Sequence, residues 1–224
     1  MDSEIFIIES PAPIDLLEGD REGETVGKIL DLAEIANSYH LVVNRDCLEK
    51  AIEGICDSVE AHPCNPILHI SAHGTELGIV LTSGEFIDWS DFRDLIEPLS
   101  KKHGRSLIIC FSTCFGAEGW KIALSLGHTF AYAVGPVREV NWDEASIAYS
   151  CFYYLLLNRG ISVRDACLRM NIAIGLGDKE ILFRAVTGEA IAKPYRAGFF
   201  AKLIADKNIK AIKKALAEMT KAAS

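Results

Sequence analysis

Two side chains that can perform covalent chemistry follow closely after apolar runs of the sequence. His73 comes shortly after the run at 67–71, and Cys114 shortly after the run at 107–111. A thiol is a strong nucleophile only after it loses its proton, and a nearby imidazole or helix N-terminus favours that loss. Cys114 precedes a helix predicted at 116–126, and His73 supplies the imidazole if the two runs are neighbours. The pattern therefore predicts Cys114 as a nucleophile and His73 as its base.

The elements that must position this pair alternate along the chain. Strands are predicted at 4–9, 40–43, 67–71, 107–111 and 130–134, a turn at 10–13, a hairpin at 77–87, and helices at 25–36, 46–61, 88–102, 116–126, 144–157 and 163–174. Asp46 is the predicted N-cap of the helix that reaches residue 61. Such alternation is typical of a mostly parallel sheet flanked by helices, in which functional residues collect at the carboxyl ends of the strands. The 41 residues from His73 to Cys114 suffice to return to an adjacent strand. We therefore expect both residues at one edge of the sheet of a single α/β domain.

Composition narrows the class of protein. Half of the 224 residues are hydrophobic, and 31 acidic residues outnumber 23 basic ones, which argues against direct nucleic-acid binding. No apolar run approaches the length of a membrane span, and no export signal is apparent. The seven cysteines form no Cys-x-x-Cys pair, so we expect reduced thiols and a cytoplasmic location. Neither a membrane contact nor a cofactor is predicted.

Several candidate residues have structural explanations. His69 and His73 resemble a metal pair, but residues four apart on a strand lie about 13 Å apart, so no metal site is predicted. Cys110 lies inside an apolar run and is expected to be a buried residue of the core. The same holds for an aromatic stripe at helical spacing: Tyr149, Phe152, Tyr153 and Leu156. Residues 1–200 are predicted to form the domain, and 201–224 an amphipathic helix, either docked on it or serving as a handle for a partner.

Gly74 adds a further catalytic element. A residue without Cβ lets its backbone N–H approach a substrate closely. Together with the N–H of Cys114 it could form an oxyanion hole, in which each donor contributes about 3–4 kcal/mol in well-studied hydrolases.

Five motifs in order resemble a known family. They are Ser-Ala-His-Gly at 71–74, Phe-Ser-Thr-Cys at 111–114, Val-Asn-Trp-Asp at 140–143, Phe-Tyr at 152–153 and Gly-Ile-Ser-Val-Arg-Asp-Ala at 160–166. Their order resembles that of the caspase–haemoglobinase cysteine peptidases, and most closely the CHAT and separase-type domains. Of the caspase pentapeptide only the Cys and the final Gly match. The resemblance covers about 66–173.

The resemblance implies a caspase-like three-layer fold and peptide-bond hydrolysis by a His73–Cys114 dyad. It places Glu139 where separases carry the acid that selects a basic residue before the scissile bond. Asp143 is the other acid within reach. Ser112 is a further candidate for substrate binding. Arg138 leaves acceptance of an acidic residue open. A specific protein substrate and a regulatory protein partner are implied, and calcium dependence stays open.

Two alternatives stay open beside the peptidase. One is a CHAT-like binding or adaptor domain whose dyad is catalytically silent. The other is an acyltransferase or another thiol hydrolase that uses the same pair of residues.

Overall fold

The computed structural model describes residues 2–123, 130–177, 180–191, 193 and 197–198. The strands are β1 (Ser3–Ser10), β2 (Asn37–Leu41), β3 (Asn65–Thr75), β4 (Gly78–Val80), β5 (Phe86–Asp88), β6 (Ile108–Ser112), β7 (Tyr132–Pro136) and β8 (Phe183–Thr187). The α-helices are α1 (Pro13–Glu18), α2 (Glu22–Leu32), α3 (Arg45–Ala61), α4 (Trp89–Leu95), α5 (Glu97–His103), α6 (Trp142–Tyr153) and α7 (Val163–Ala173). A 3₁₀-helix covers Gly116–Ala123, and one wider π-type turn, Tyr154–Asn158, extends α6.

One sheet with the strand order β2-β1-β3-β6-β7-β8 organises the molecule. Its first five strands are parallel and β8 is antiparallel to β7, while β4 and β5 form a hairpin that continues from the end of β3. This arrangement confirms the predicted α/β class. A parallel sheet is covered by helices on both faces, so its central strands are buried on both sides. Accordingly, four of the five residues of β6 are buried.

Two apolar layers cover the sheet. On one face, α3, α4 and α5 pack against residues such as Phe6, Leu68 and Phe111. On the other, α2, α6 and α7 pack against Ile7, Cys110 and their neighbours. Cys110, Tyr149, Phe152 and Tyr153 are fully buried, as predicted, and Leu156 is partly buried.

Several local predictions were wrong, and one strand was not predicted. The segment after β1, predicted as a turn, forms α1 with Pro13 in its first turn. The helix predicted at 88–102 breaks at Ile96 into α4 and α5, because Pro98 has no amide for a continuous helix. The N-cap of α3 is Asn44, whose side chain accepts from the Cys47 amide, and not Asp46. The β8 strand had not been predicted.

The helix predicted at 116–126 is instead a 3₁₀-helix, as far as it is described. Gly116 and Gly119 lie in its first turn, and glycine is a poor former of α-helix. A Cβ at Gly119 would overlap the ring of Phe111, so the segment packs too closely on β6 for larger side chains. The amphipathic helix predicted at 201–224 lies outside the described residues. Within those residues, none of the helices has the length and apolar character needed to cross a membrane.

Candidate active site

His73 and the turn that carries Cys114 come from adjacent parallel strands, β3 and β6. In the register of these strands Ser71 pairs with Ser112, the last residue of β6. His73 lies two residues further along β3, on the same face as Ser71. Cys114 lies two residues beyond the end of β6, in a turn. The structure thus places the segments that carry the predicted nucleophile and base side by side at the carboxyl edge of the sheet.

Gly74 packs directly against the segment that carries Cys114. A Cβ on Gly74 would lie 2.6 Å from the carbonyl oxygen of Cys114 and nearer still to Oγ1 of Thr113. No larger residue fits without a shift of the backbone that carries Cys114. The glycine is therefore required by packing against the nucleophile's own peptide, in addition to any role of its N–H.

The turn at Cys114 has an uncommon backbone. Phe115, directly after it, has a φ of +56°, a left-handed conformation that costs a residue with a large side chain about 1–3 kcal/mol. The amides of the next two residues are used: Phe115 N–H donates to the Arg138 carbonyl (3.2 Å) and Gly116 N–H to Thr113 (2.9 Å). The Cys114 amide donates to no backbone carbonyl in the described part of the chain. Such an amide is available to an oxyanion.

The thiol of Cys114 is half-buried and donates to the Val140 carbonyl, with 3.8 Å between sulfur and oxygen. The loop after β7 therefore touches the nucleophile through Val140 and the next residue, Phe115, through Arg138. Glu139 lies between these two loop residues and is exposed, as are Arg138 and Asp143. Among the described residues, no contact selects one of the three as a substrate-binding group.

The imidazole of His73 is held from two sides. Its Nε2 lies 2.8 Å from Oδ2 of Asp15, and its ring packs edge-on against Trp142 at a centroid distance of 5.3 Å. Because a carboxylate only accepts, Nε2 of neutral His73 carries the proton and Nδ1 has the free lone pair. Nδ1 has no hydrogen-bond partner among the described residues. The Asp15 side chain is 14% exposed, against 47% for His73, so the ring is fixed from its more buried side.

Asp15 had not been predicted from the sequence. It lies in α1, just after the carboxyl end of β1, the strand next to β3. Its Oδ2 also accepts from the Ala12 amide at 3.0 Å, which fixes the carboxylate at the start of the helix. Functional residues of such sheets follow the ends of strands, and Asp15 follows β1. That rule points to Asp15, but the segment was interpreted as a turn with no further role.

A buried polar layer lies beneath the dyad. Ser71 and Ser112, opposite each other, are fully buried, and neither hydroxyl has a hydrogen-bond partner among the described residues. One step lower, His69 bonds the Tyr153 hydroxyl (2.7 Å) through Nδ1 and Glu22 (3.0 Å) through Nε2. Ser112, predicted to bind substrate, reaches a ligand only if the space above it opens.

Groups of three or more His, Cys, Asp or Glu side chains that could hold a metal ion do not occur among the described residues. His69 and His73 do not meet at one ion: the first binds Glu22 and Tyr153, and the second Asp15.

Neither a protein-family model nor a curated protein sequence matches the chain. The structure is similar to that of "iotapain", a secreted C11 cysteine protease from Bacteroides thetaiotaomicron. The match covers 85% of this chain and 68% of that one, at a TM-score of 0.51 and 12% sequence identity. A match to the Arg specific cysteine proteinase gingipain R covers 76% of this chain and 42% of that one, at a TM-score of 0.45 and 10% identity. The chain has a caspase-like α/β fold. At such identities the likeness extends to the fold, and the resemblance to CHAT and separase-type domains rests on the sequence motifs.

Proposed function

We propose that this chain is a cysteine endopeptidase in which Cys114 is the nucleophile, His73 the base and Asp15 the residue that orients the base. One observation carries the proposal: the segments of Cys114 and His73 follow adjacent parallel strands and touch at Gly74, and a carboxylate holds the imidazole. The fold, shared with a C11 cysteine protease, supports the same reading.

The reaction follows from this geometry. Nδ1 of His73 takes the thiol proton as Sγ of Cys114 attacks the carbonyl carbon of the scissile peptide. The oxyanion is held by the N–H groups of Cys114 and Gly74. When the C–N bond breaks, the imidazolium gives its proton to the leaving amine, and a thioester remains. A water molecule, deprotonated by His73, then hydrolyses the thioester and restores the thiol.

Asp15 contributes by facing the charge that the imidazole gains during the reaction. Its carboxylate accepts a hydrogen bond from Nε2–H of the neutral ring and faces a positive charge once Nδ1 has taken the thiol proton. The edge of Trp142 limits rotation of the ring. Both contacts keep Nδ1 directed at a fixed position, which is the orienting role that the third member of a nucleophile–base–acid arrangement plays.

For specificity we propose Glu139 as the acid that selects a basic residue before the scissile bond, with Asp143 as a second acid. Their support is position, because Glu139 lies in the loop that contacts Cys114 and Phe115 through its neighbours. Ser112, whose unpartnered hydroxyl is fully buried, would contact the substrate only if binding opened the space above it. The thiol's bond to Val140 must break before attack, which fits an enzyme that a specific protein substrate or a regulatory partner switches on.

The test is the intact mass of the protein after incubation with peptidyl chloromethyl ketones ending in Arg, Asp or Asn. Cys114→Ala is the control for the site, and Cys47→Ala, a half-buried cysteine of α3, the control for non-specific alkylation. A single adduct from the Arg reagent, lost only in Cys114→Ala, would support the dyad and the acidic pocket. An adduct from the Asp reagent would retain the peptidase and point to Arg138 in place of Glu139.

The hydrogen bond from the Cys114 thiol to Val140 also suits the alternative, a catalytically silent CHAT-like binding domain. Lack of adducts with all three reagents, in a protein whose Cys114 still reacts with iodoacetamide, would favour it. An acyltransferase would instead label normally and transfer the acyl group to an added amine in preference to water.

A further inference from the structure

A groove with acidic walls lies on the sheet face that α3, α4 and α5 cover. It has a volume of about 360 Å³ and runs between α3 and the junction of α4 and α5. Its apolar floor is formed by Ile52, Cys56, Leu95 and Pro98. Carboxylates stand on both walls: Glu49, Glu53 and Asp57 on α3, and Asp94, which pairs with Arg93 at 2.7 Å, on the other side.

The three α3 carboxylates follow helical spacing along one stripe, so they face the groove together. None of them forms an ion pair with a basic side chain of the described residues, whereas Glu60, one turn further, pairs with Lys102 at 2.8 Å. Unpaired like charges at this spacing repel each other by a few tenths of a kcal/mol per pair. An apolar floor between acidic walls suits an amphipathic, basic segment.

The chain itself contains such a segment. Residues 199–224 have six lysines and two acidic residues, a net charge of +4, whereas residues 1–198 have 17 basic and 29 acidic residues, a net charge of −12. Apolar residues recur at helical spacing in the segment, among them Ile209, Ile212 and Leu216. Charge sign and apolar pattern are both complementary to the groove.

The connection is long enough and starts on the correct side. Ile191 packs on the apolar layer that α3, α4 and α5 also cover, so the chain leaves β8 on the face that carries the groove. The described residues after β8 (188–191, 193 and 197–198) are helical, so the chain advances by about 12 Å over the eight positions from Ile191 to 199. The four strand intervals from β8 to β1 amount to about 19 Å. The difference of about 7 Å requires two or three extended residues, or about five helical ones, of the 26 in 199–224.

We propose that residues 199–224 dock in cis into the groove between α3 and the α4–α5 junction, with lysines against Glu49, Glu53 and Asp57. The segment covers Ile52 and Cys56 and neutralises the stripe of carboxylates. Docking is therefore salt-sensitive, because exposed ion pairs are screened as the Debye length falls from about 10 Å at 0.1 M to about 3 Å at 1 M salt.

The half-buried Cys56 provides a direct readout in the full chain. Its rate of alkylation by iodoacetamide is measured by peptide mass mapping, with Cys47 on the first turn of the same helix as internal reference. Docking predicts that Cys56 is protected at low salt. Protection falls about fivefold when Glu49, Glu53 and Asp57 become Gln, Gln and Asn, the factor expected from three exposed ion pairs.

A charge swap separates docking from general effects of the substitutions. Reversal of the α3 stripe (E49K, E53K, D57K) or of the segment (K207E, K210E, K214E) should each remove protection, and the two together should restore it. The same number of neutralised carboxylates elsewhere (E18Q, D20N, E34Q), all exposed, should leave it unchanged. A Cys56 rate that is the same in all these proteins, or that the combined swap does not lower, overturns the proposal.

Carbodiimide cross-linking of a mixture of ¹⁴N and ¹⁵N chains identifies what occupies the groove. Links within one chain, from lysines of 199–224 to the groove carboxylates, are expected. Links that join only light to heavy chains would mean that a second copy fills the groove, and links to another face would mean a different docking site; both overturn docking in cis. Neither experiment depends on peptidase activity, so each stands or falls separately from the proposed function.

Discussion

Asp15→Asn tests the least expected feature of the candidate site. The variant keeps the size of the side chain and an oxygen that can accept from Ala12, but removes the charge facing His73. A hydrogen bond to a charged group contributes about 1.5–3 kcal/mol. Because the imidazole is 47% exposed, solvent screens the interaction, and we take the lower part of that range, about 1.5–2 kcal/mol. If this free energy is lost from the transition state of thiol attack, the rate falls by roughly 13- to 30-fold.

The assay is the rate of iodoacetamide alkylation at Cys114 near pH 7, which reports attack by the thiol and needs no knowledge of the substrate. There the variant should react roughly 13- to 30-fold more slowly than the parent protein, by the same estimate.

Asp20→Asn, in the same stretch but exposed, is the matched control and should behave like the parent protein. Thermal unfolding should change little in Asp15→Asn because the helix cap is preserved. Equal alkylation rates at pH 7 in the parent and Asp15→Asn would refute the orienting role and reduce Asp15 to a capping residue.

Three further substitutions have defined outcomes. Gly74→Ala should lower the free energy of unfolding in urea by about 1–3 kcal/mol and slow the labelling of Cys114, because the added Cβ overlaps the backbone of Cys114. The control, Gly54→Ala, places its Cβ in open space on α3 and should leave the free energy of unfolding unchanged or raise it. Asn171→Ala removes the oxygen that accepts from the buried amides of Leu182 and Phe183 (2.9 and 2.7 Å), where the chain enters β8, and should lower the free energy of unfolding by about 2–4 kcal/mol. The control, Asn158→Ala at an exposed position, should change it by less than about 0.5 kcal/mol. An equal effect of the two substitutions would contradict this account of β8. Burial raises the pKa of Glu9, so its folded-state pKa exceeds the unfolded one and its contribution to stability is present at low pH and lost as pH rises through that raised pKa. The stability of the parent relative to Glu9→Gln should therefore fall between pH 4 and pH 7, and a rise over that interval would show that the hydrogen bonds to the carboxylate outweigh its burial.

Local pattern predicted much of the fold. Strands such as β3 and β6 contain continuous apolar runs, whereas the apolar residues of the helices recur every three or four positions. This difference can be seen in the sequence without knowledge of the tertiary structure. The α/β class and the burial of the α6 aromatic stripe are confirmed. The β8 strand was missed because its run is short, partly polar and held by contacts from Asn171 on α7, which no local pattern contains. The break between α4 and α5 followed from Pro98 and could have been predicted.

The sequence by itself determined which residues can do chemistry and which strand ends carry them, because residue type, strand period and the carboxyl-end rule are local properties. Only the tertiary structure decided what surrounds that pair. Asp15 reaches His73 from 58 positions away, Val140 meets the Cys114 thiol, and Trp142 contacts the imidazole. These contacts depend on strand order and on how each loop crosses the sheet edge, and those are set by the packing of the whole domain rather than by any one segment.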